Sequence, residues 1–137
     1  MAVKTLLDTD VLSGLMRGTP PALHRARGYV AVHGQLTLSL VTRFEILRGL
    51  KAKQATARQL AFDIFCRSNE VLPISEEVIS TASDMYADLR GRGKLIPDAD
   101  ILIAATAVTH GLVLATNNLR DFGRIPHLQI DNWLAEP

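Results

Sequence analysis

The chain has 137 residues, 15 Lys and Arg against 14 Asp and Glu for a net charge of +1, and 47% hydrophobic residues. That is apolar material for one core and one domain, residues 1–137, without linker, repeat or low-complexity tract. Its apolar runs fall far short of the roughly 20 residues of a membrane span, no secretory signal opens it, and its single cysteine, Cys66, has no internal disulfide partner. A reduced, cytoplasmic setting is expected.

Val3 to Leu7 reads as a buried strand that delivers Asp8 and Asp10 into the turn behind it. Asp10 to Met16 is a short helix stopped by Gly18 and the Pro20-Pro21 pair, and Pro21 to Ala31 is a second helix weakened by Gly28. Leu36 to Leu40 is the second strand, followed by helices from Thr42 to Leu50 and from Gln54 to Ser68. Cys66 falls in an apolar stretch of the latter and is expected to be buried.

Val71 to Ile74 is a short strand. In the helix from Ser75 to Arg92, Val78, Ile79, Ala82, Met85, Tyr86 and Leu89 recur at helical spacing. Beyond a basic loop, Arg90 to Lys94, the segment Asp98 to His110 is apolar on nearly every side, which predicts a central, buried helix ended by Gly111. Leu112 to Thr116 is a third core strand, Leu128 to Ile130 an edge strand, and Trp133 packs near the end. Strands alternating with helices predict an α/β fold: three α/β/α layers around a mainly parallel sheet.

The chemistry follows from where the acids fall. Ligands of open parallel sheets sit at the carboxyl ends of the strands, where Asp8 is delivered; Asp10 fits a helix N-cap better. Glu45 completes a capping box with Thr42, which alone accounts for it, but its helix leaves the second strand at the same sheet edge. Asp98 is the natural N-cap of the apolar helix, which leaves Asp100 in the first turn without a capping task and in need of a partner. Asn117 and Asn118 end the third core strand and suit a turn; an amide oxygen there also serves a hard cation.

Three carboxylates and an Asn, all oxygen donors, suit Mg²⁺ or Mn²⁺ rather than zinc. His24, His33, His110 and His127 lack ligand spacing. No phosphate-binding Gly-rich loop, nucleophile elbow or Cys-His pairing occurs. An acidic pocket on a mildly basic surface suits a phosphodiester.

Taken together, Leu-Leu-Asp8-Thr-Asp10, Glu45 within Thr-Arg-Phe-Glu45-Ile-Leu-Arg-Gly, Asp100-Ile-Leu-Ile-Ala-Ala, and Thr116-Asn-Asn118-Leu-Arg-Asp121-Phe resemble, in order, the four motifs of the PIN-domain nucleases of the VapC toxin type. The family often has Asn at the position of Asp10, and many members have Asp where Asn118 stands. The resemblance implies metal-dependent endonucleolytic cleavage of RNA with Asp8, Glu45, Asp100 and Asn118 as site residues. Asp8 and Asp100 would hold Mg²⁺ or Mn²⁺, and Glu45 would orient or deprotonate the attacking water. Whether Asn118 acts directly or through water, and whether Asp121 supplies the missing charge, stays open. Arg43, Arg48, Arg90, Arg92, Lys94 and Arg120 are candidate phosphate contacts.

The same resemblance implies a cognate antitoxin across the site, with apolar docking surface around Leu47, Leu50 and Leu60 to Phe65, and a homodimer. Other readings fare worse. A haloacid-dehalogenase-like phosphatase shares the Asp8-Thr-Asp10 and Thr116-Asn117 pattern but needs a Lys and an acidic pair further on. A receiver-like signalling module needs an acceptor Asp after the middle strand, which Val71 to Ser75 does not offer. A non-catalytic PIN-like binding module would not need to keep Asp8, Glu45 and Asp100.

Overall fold

The computed structural model describes residues 3–136. In chain order it runs β1 (Thr5–Leu7), α1 (Thr9–Met16), α2 (Pro20–His33), β2 (Thr37–Ser39), α3 (Leu40–Ala52), α4 (Thr56–Arg67), β3 (Glu70–Leu72), α5 (Glu76–Gly91), α6 (Asp98–Thr109), β4 (Val113–Ala115), α7 (Leu119–Phe122) and β5 (Ile130–Asp131). The predicted strands and helices are present with shifted ends. The edge strand lies at Ile130–Asp131 rather than Leu128 to Ile130, and the short α7 is additional. Gln54, at φ 53°, adopts a left-handed backbone and separates α3 from α4, so the second of these starts two residues later than its periodicity suggests.

Among the described residues five strands form one all-parallel sheet in the order β3-β2-β1-β4-β5. Every strand connection crosses over through helix. Strand order reverses between β1 and β4, so a crevice opens at their carboxyl ends, where doubly wound folds take their ligands. Asp8 follows β1 and Thr116 follows β4, at that reversal.

Side-chain alternation along the strands builds the layers. Leu6 and its register partner Leu114 face one core, with Val78, Leu89, Ile101, Ile103 and Phe122. Leu7 and its partner Ala115 face the other, with Leu12, Tyr29, Ile46, Phe62 and Trp133. Helix α6 buries Ile101 and every residue from Ile103 to Ala107, as a helix apolar on all sides must. Gly111 takes φ 65° just beyond it, a conformation that admits glycine at no steric cost. Cys66 is buried as expected.

Candidate active site

Asp8 is 5% exposed. Its amide donates to the Ala115 carbonyl at 2.9 Å, prolonging the β1–β4 ladder by one residue and fixing where the side chain emerges. Asp8 Oδ1 accepts from the Thr9 amide at 2.8 Å, and Oδ2 accepts from Thr116 Oγ1 at 2.8 Å. Asp8 itself is therefore the N-cap of α1, the task the sequence assigns to Asp10. Helix α1 begins one residue earlier than expected, which moves the cap back to the strand end.

Asp10 instead ties the neighbouring loop: its Oδ2 accepts from the Asn117 amide at 2.9 Å. Its Oδ1 is buried with no hydrogen-bond partner among the described residues. An anionic oxygen without a donor is costly in such a place and calls for a proton or a cation.

Glu45 leaves the second turn of α3. The capping box does not form: Ser39 is the N-cap, its Oγ accepting from the Thr42 amide at 3.1 Å, because α3 starts at Leu40. Glu45 is thereby free of capping and reaches across to α1, where its Oε1 accepts from Thr9 Oγ1 at 2.6 Å. Its Oε2 lies 3.8 Å from the Arg48 guanidinium, a cation on the surface.

Asp100 is half-buried in the first turn of α6. Asp98 does not cap that helix; Pro97 occupies the N-cap and no side chain bonds there. Asn118 caps α7, its Oδ1 accepting from the Asp121 amide at 3.3 Å while its Nδ2 donates to Asp121 Oδ2 at 3.2 Å. The Asn118 amide donates to Thr116 Oγ1 at 3.0 Å, so one threonine hydroxyl joins Asp8 to the Asn118 turn.

The acids feel one another. Burial, then the charge of Asp10 and more weakly that of Asp100, push Asp8 up to about 7 against the hydrogen bonds from Thr116 and Thr9. Burial, then the charges of Glu45, Asp121 and Asp10, push Asp100 up to about 6. Asp10 is also raised, by burial. Asp8, Glu45 and Asp100 thus share one electrostatic neighbourhood, and Asp10 and Asp121 belong to it as well. Asn118 borders it with its side chain turned to Asp121.

This donor set suits a hard cation: all its atoms are oxygen, one is orphaned, and the carboxylates resist joint ionisation. Among the described residues no group of three or more acidic, His or Cys side chains is placed to hold a metal ion together. A magnesium-type ion keeps several waters and takes one or two carboxylates, so it needs no such group.

Of the candidate phosphate contacts, Arg43 is committed to Asp63 at 3.0 Å and lies over the Phe62 ring, and Arg92 bonds Asp88 at 2.6 Å and the Arg124 carbonyl at 2.7 Å. Arg48, Arg90, Lys94 and Arg120 are exposed. The sequence reading passes over Thr9 and the role of Thr116. The available signal was a hydroxyl beside each strand-end polar group.

Beside Glu45 a groove of about 590 Å³ runs between α1, α3 and α4, lined by Thr9, Met16, Gly49, Leu50, Phe62 and Phe65 with Arg17, Lys53 and Arg58 around it. Leu50 and Phe62 are core residues whose edges reach it, while Leu60 and Ile64 are exposed on α4.

The sequence matches the PIN domain over residues 5–128. It is 30% identical over 132 residues to the tRNA(fMet)-specific endonuclease VapC of Salmonella typhimurium, covering 96% of this chain and 98% of that protein. It is 35% identical over 122 residues to ribonuclease VapC1 of Methanocaldococcus jannaschii, covering 89% and 81%. The DNA-bound VapBC structure from Salmonella typhimurium matches with a TM-score of 0.85 at 28% identity, over 96% of this chain and 99% of that one. The acids at the β1–β4 reversal and this match over nearly its whole length make the chain a member of the PIN-domain family, among the VapC ribonucleases.

Proposed function

We propose that the chain is an endoribonuclease that hydrolyses RNA phosphodiester bonds with the help of Mg²⁺, which Mn²⁺ can replace, and that it acts in the cytoplasm as the toxin of a toxin-antitoxin pair. The observation that supports this reading is the acidic cluster at the sheet reversal: Asp8 feels the charges of Asp10 and Asp100, Asp100 feels that of Glu45, and Asp10 Oδ1 is buried without a donor. The names of the VapC relatives, ribonuclease and tRNA endonuclease, support RNA as substrate. Residues 1–137 act as one nuclease domain.

Asp8 and Asp100 would hold the cation, with Asn118 and Asp121 at the border of the site. When bound, such an ion supplies charge neutralisation at the scissile phosphate and acidifies an attacking water. Glu45 takes the water's proton: its Oε1 is occupied by Thr9, so Oε2 is the oxygen available for it. Thr116 holds Asp8 in place. Exposed Arg48, Arg120 and Lys94 grip the RNA backbone without reading sequence.

The VapBC assemblies of relatives support a protein antitoxin as partner. The apolar groove beside Glu45, with Arg17, Lys53 and Arg58 at its margin, suits an amphipathic segment that would also cover the acids. A second copy of the chain is the other proposed partner.

The test is cleavage of bulk tRNA by the purified chain with Mg²⁺, with Mn²⁺ and with EDTA, alongside Asp8→Asn and Asp100→Asn. Cleavage that needs the ion and is lost in both variants is expected. Undiminished cleavage in EDTA and in both variants refutes the reading.

A further inference from the structure

Glu45 is the one carboxylate of the cluster borne by the longer side chain and placed beyond a helix's first turn, so its position is not set by the backbone alone. What holds it is a row of three hydroxyls. Thr9 Oγ1 bonds Glu45 Oε1 at 2.6 Å, Thr42 Oγ1 lies 3.1 Å from Thr9 Oγ1, and Ser39 Oγ lies 3.3 Å from Thr42 Oγ1. Ser39 and Thr42 are fully buried.

Each hydroxyl has one proton to give. A carboxylate is the strongest acceptor in the row, so the Thr9 proton goes to Glu45. Thr42 then donates to Thr9 and Ser39 to Thr42, while Ser39 Oγ accepts from the Thr42 amide. Every bond points the same way and ends on the carboxylate, an arrangement in which each strengthens the next. The row also spans two adjacent strands: Thr9 follows β1, and Ser39 ends β2, its parallel neighbour. Arg48 is no substitute, being 60% exposed and 3.8 Å away.

We propose that Thr9 is the positioning residue of Glu45, with Thr42 and Ser39 behind it, fixing Oε1 so that Oε2 faces the reacting water. This rests on the reading of Glu45 as general base. Thr9 touches no reacting atom; it acts through the carboxylate. Its β-branched side chain, stiff at χ1, suits the task.

The experiment compares Thr9→Val, Thr9→Ser, Glu45→Gln and the double variant Thr9→Val/Glu45→Gln in cleavage of bulk tRNA with Mn²⁺. Melting temperature and Mn²⁺ affinity by calorimetry are measured for each. Thr9→Val should lower kcat roughly 10- to 100-fold with KM within about twofold, the scale of a misplaced catalytic group. Thr9→Ser should restore kcat to within about threefold, because it keeps the hydroxyl. In the Glu45→Gln background, Thr9→Val should cost nothing more, as expected of two residues acting as one unit. Mn²⁺ affinity should stay within about twofold in Thr9→Val, since Asp8 and Asp100 are untouched.

Wild-type kcat in Thr9→Val, or Thr9→Ser as slow as Thr9→Val, overturns the proposal. So does the same fold loss in the Glu45→Gln background, or a Mn²⁺ affinity lost in step with kcat. Should Thr9→Val not fold, Thr42→Val breaks the row one link back and must lower kcat in the same direction. A fully active Glu45→Gln instead removes the general base itself, whereas a slow Glu45→Gln beside an unaffected Thr9→Val removes only the role of Thr9.

Discussion

Thr116 Oγ1 donates to Asp8 Oδ2 at 2.8 Å, closing a distance of 108 residues in sequence and joining the ends of the two central strands. Both residues are buried, so the bond has no water to replace it. Thr116→Val should destabilise the protein by about 1–3 kcal/mol at pH 8, where Asp8 is charged, and by less at pH 5. The same bond lowers the Asp8 pKa, so its loss should move the acid limb of the cleavage profile to higher pH. Melting at the two pH values and a pH-rate profile check this, with Thr116→Ser as the variant that keeps both properties.

Asp8 and Asp100 titrate at about 7 and about 6 in the folded chain, against 3.8 for an unperturbed aspartate. Between about pH 4 and pH 7 the folded chain therefore holds more protons than the unfolded one, and stability falls as pH rises through that window. The metal-free protein should melt higher at pH 5 than at pH 8. Asp8→Asn keeps an acceptor oxygen for the helix cap and removes the buried charge, so it should flatten this slope, while its NH2 in place of Oδ2 gives up the bond from Thr116. Mn²⁺ should raise the melting point more at pH 8 than at pH 5, because protons compete for the same oxygens. Equal stabilisation at both would place the ion elsewhere.

The strand-end position of Asp8 was legible because a short apolar run ending in an acid can only emerge at a sheet edge, and the apolar surround of α6 marked it as central. Helix starts were less so. Ser39-x-x-Thr42 and Thr42-x-x-Glu45 are overlapping capping patterns, and the sequence does not say that the first one forms. That choice decides whether Glu45 caps a helix or enters the site. Thr9 to Glu45 and Asp10 to Asn117 span 36 and 107 residues, and no local pattern reports contacts created by strand order. Arg43 reads as a free cation until α4 folds back and presents Asp63.

The charge of Asp10 is the largest electrostatic contribution holding the Asp8 pKa up, after burial. Asp10→Asn keeps an oxygen to accept from the Asn117 amide and removes a negative charge from the cluster. Cleavage should persist, with its acid limb shifted to lower pH, and stability at pH 8 should rise by on the order of 1 kcal/mol. A complete loss of cleavage would instead make Asp10 a required ligand, which its orphaned Oδ1 is placed to be.

Gly49 lines the groove beside Glu45, on the face of α3 toward α4, and a Cβ built there meets nothing within 4 Å. A Cβ at position 49 therefore displaces no neighbour, and Gly49→Phe extends an aromatic ring from there toward the space offered to the antitoxin. It also relieves an exposed helix of a glycine, a gain of roughly 0.5 kcal/mol. Antitoxin affinity should fall at least about tenfold, equivalent to 1.4 kcal/mol of lost contact, while antitoxin-free cleavage keeps its ion dependence. Titration of the variant with the cognate antitoxin, read both by calorimetry and by inhibition of cleavage, checks this. Unchanged affinity would move the antitoxin off this groove and leave the apolar lining of Phe62 and Phe65 as core alone.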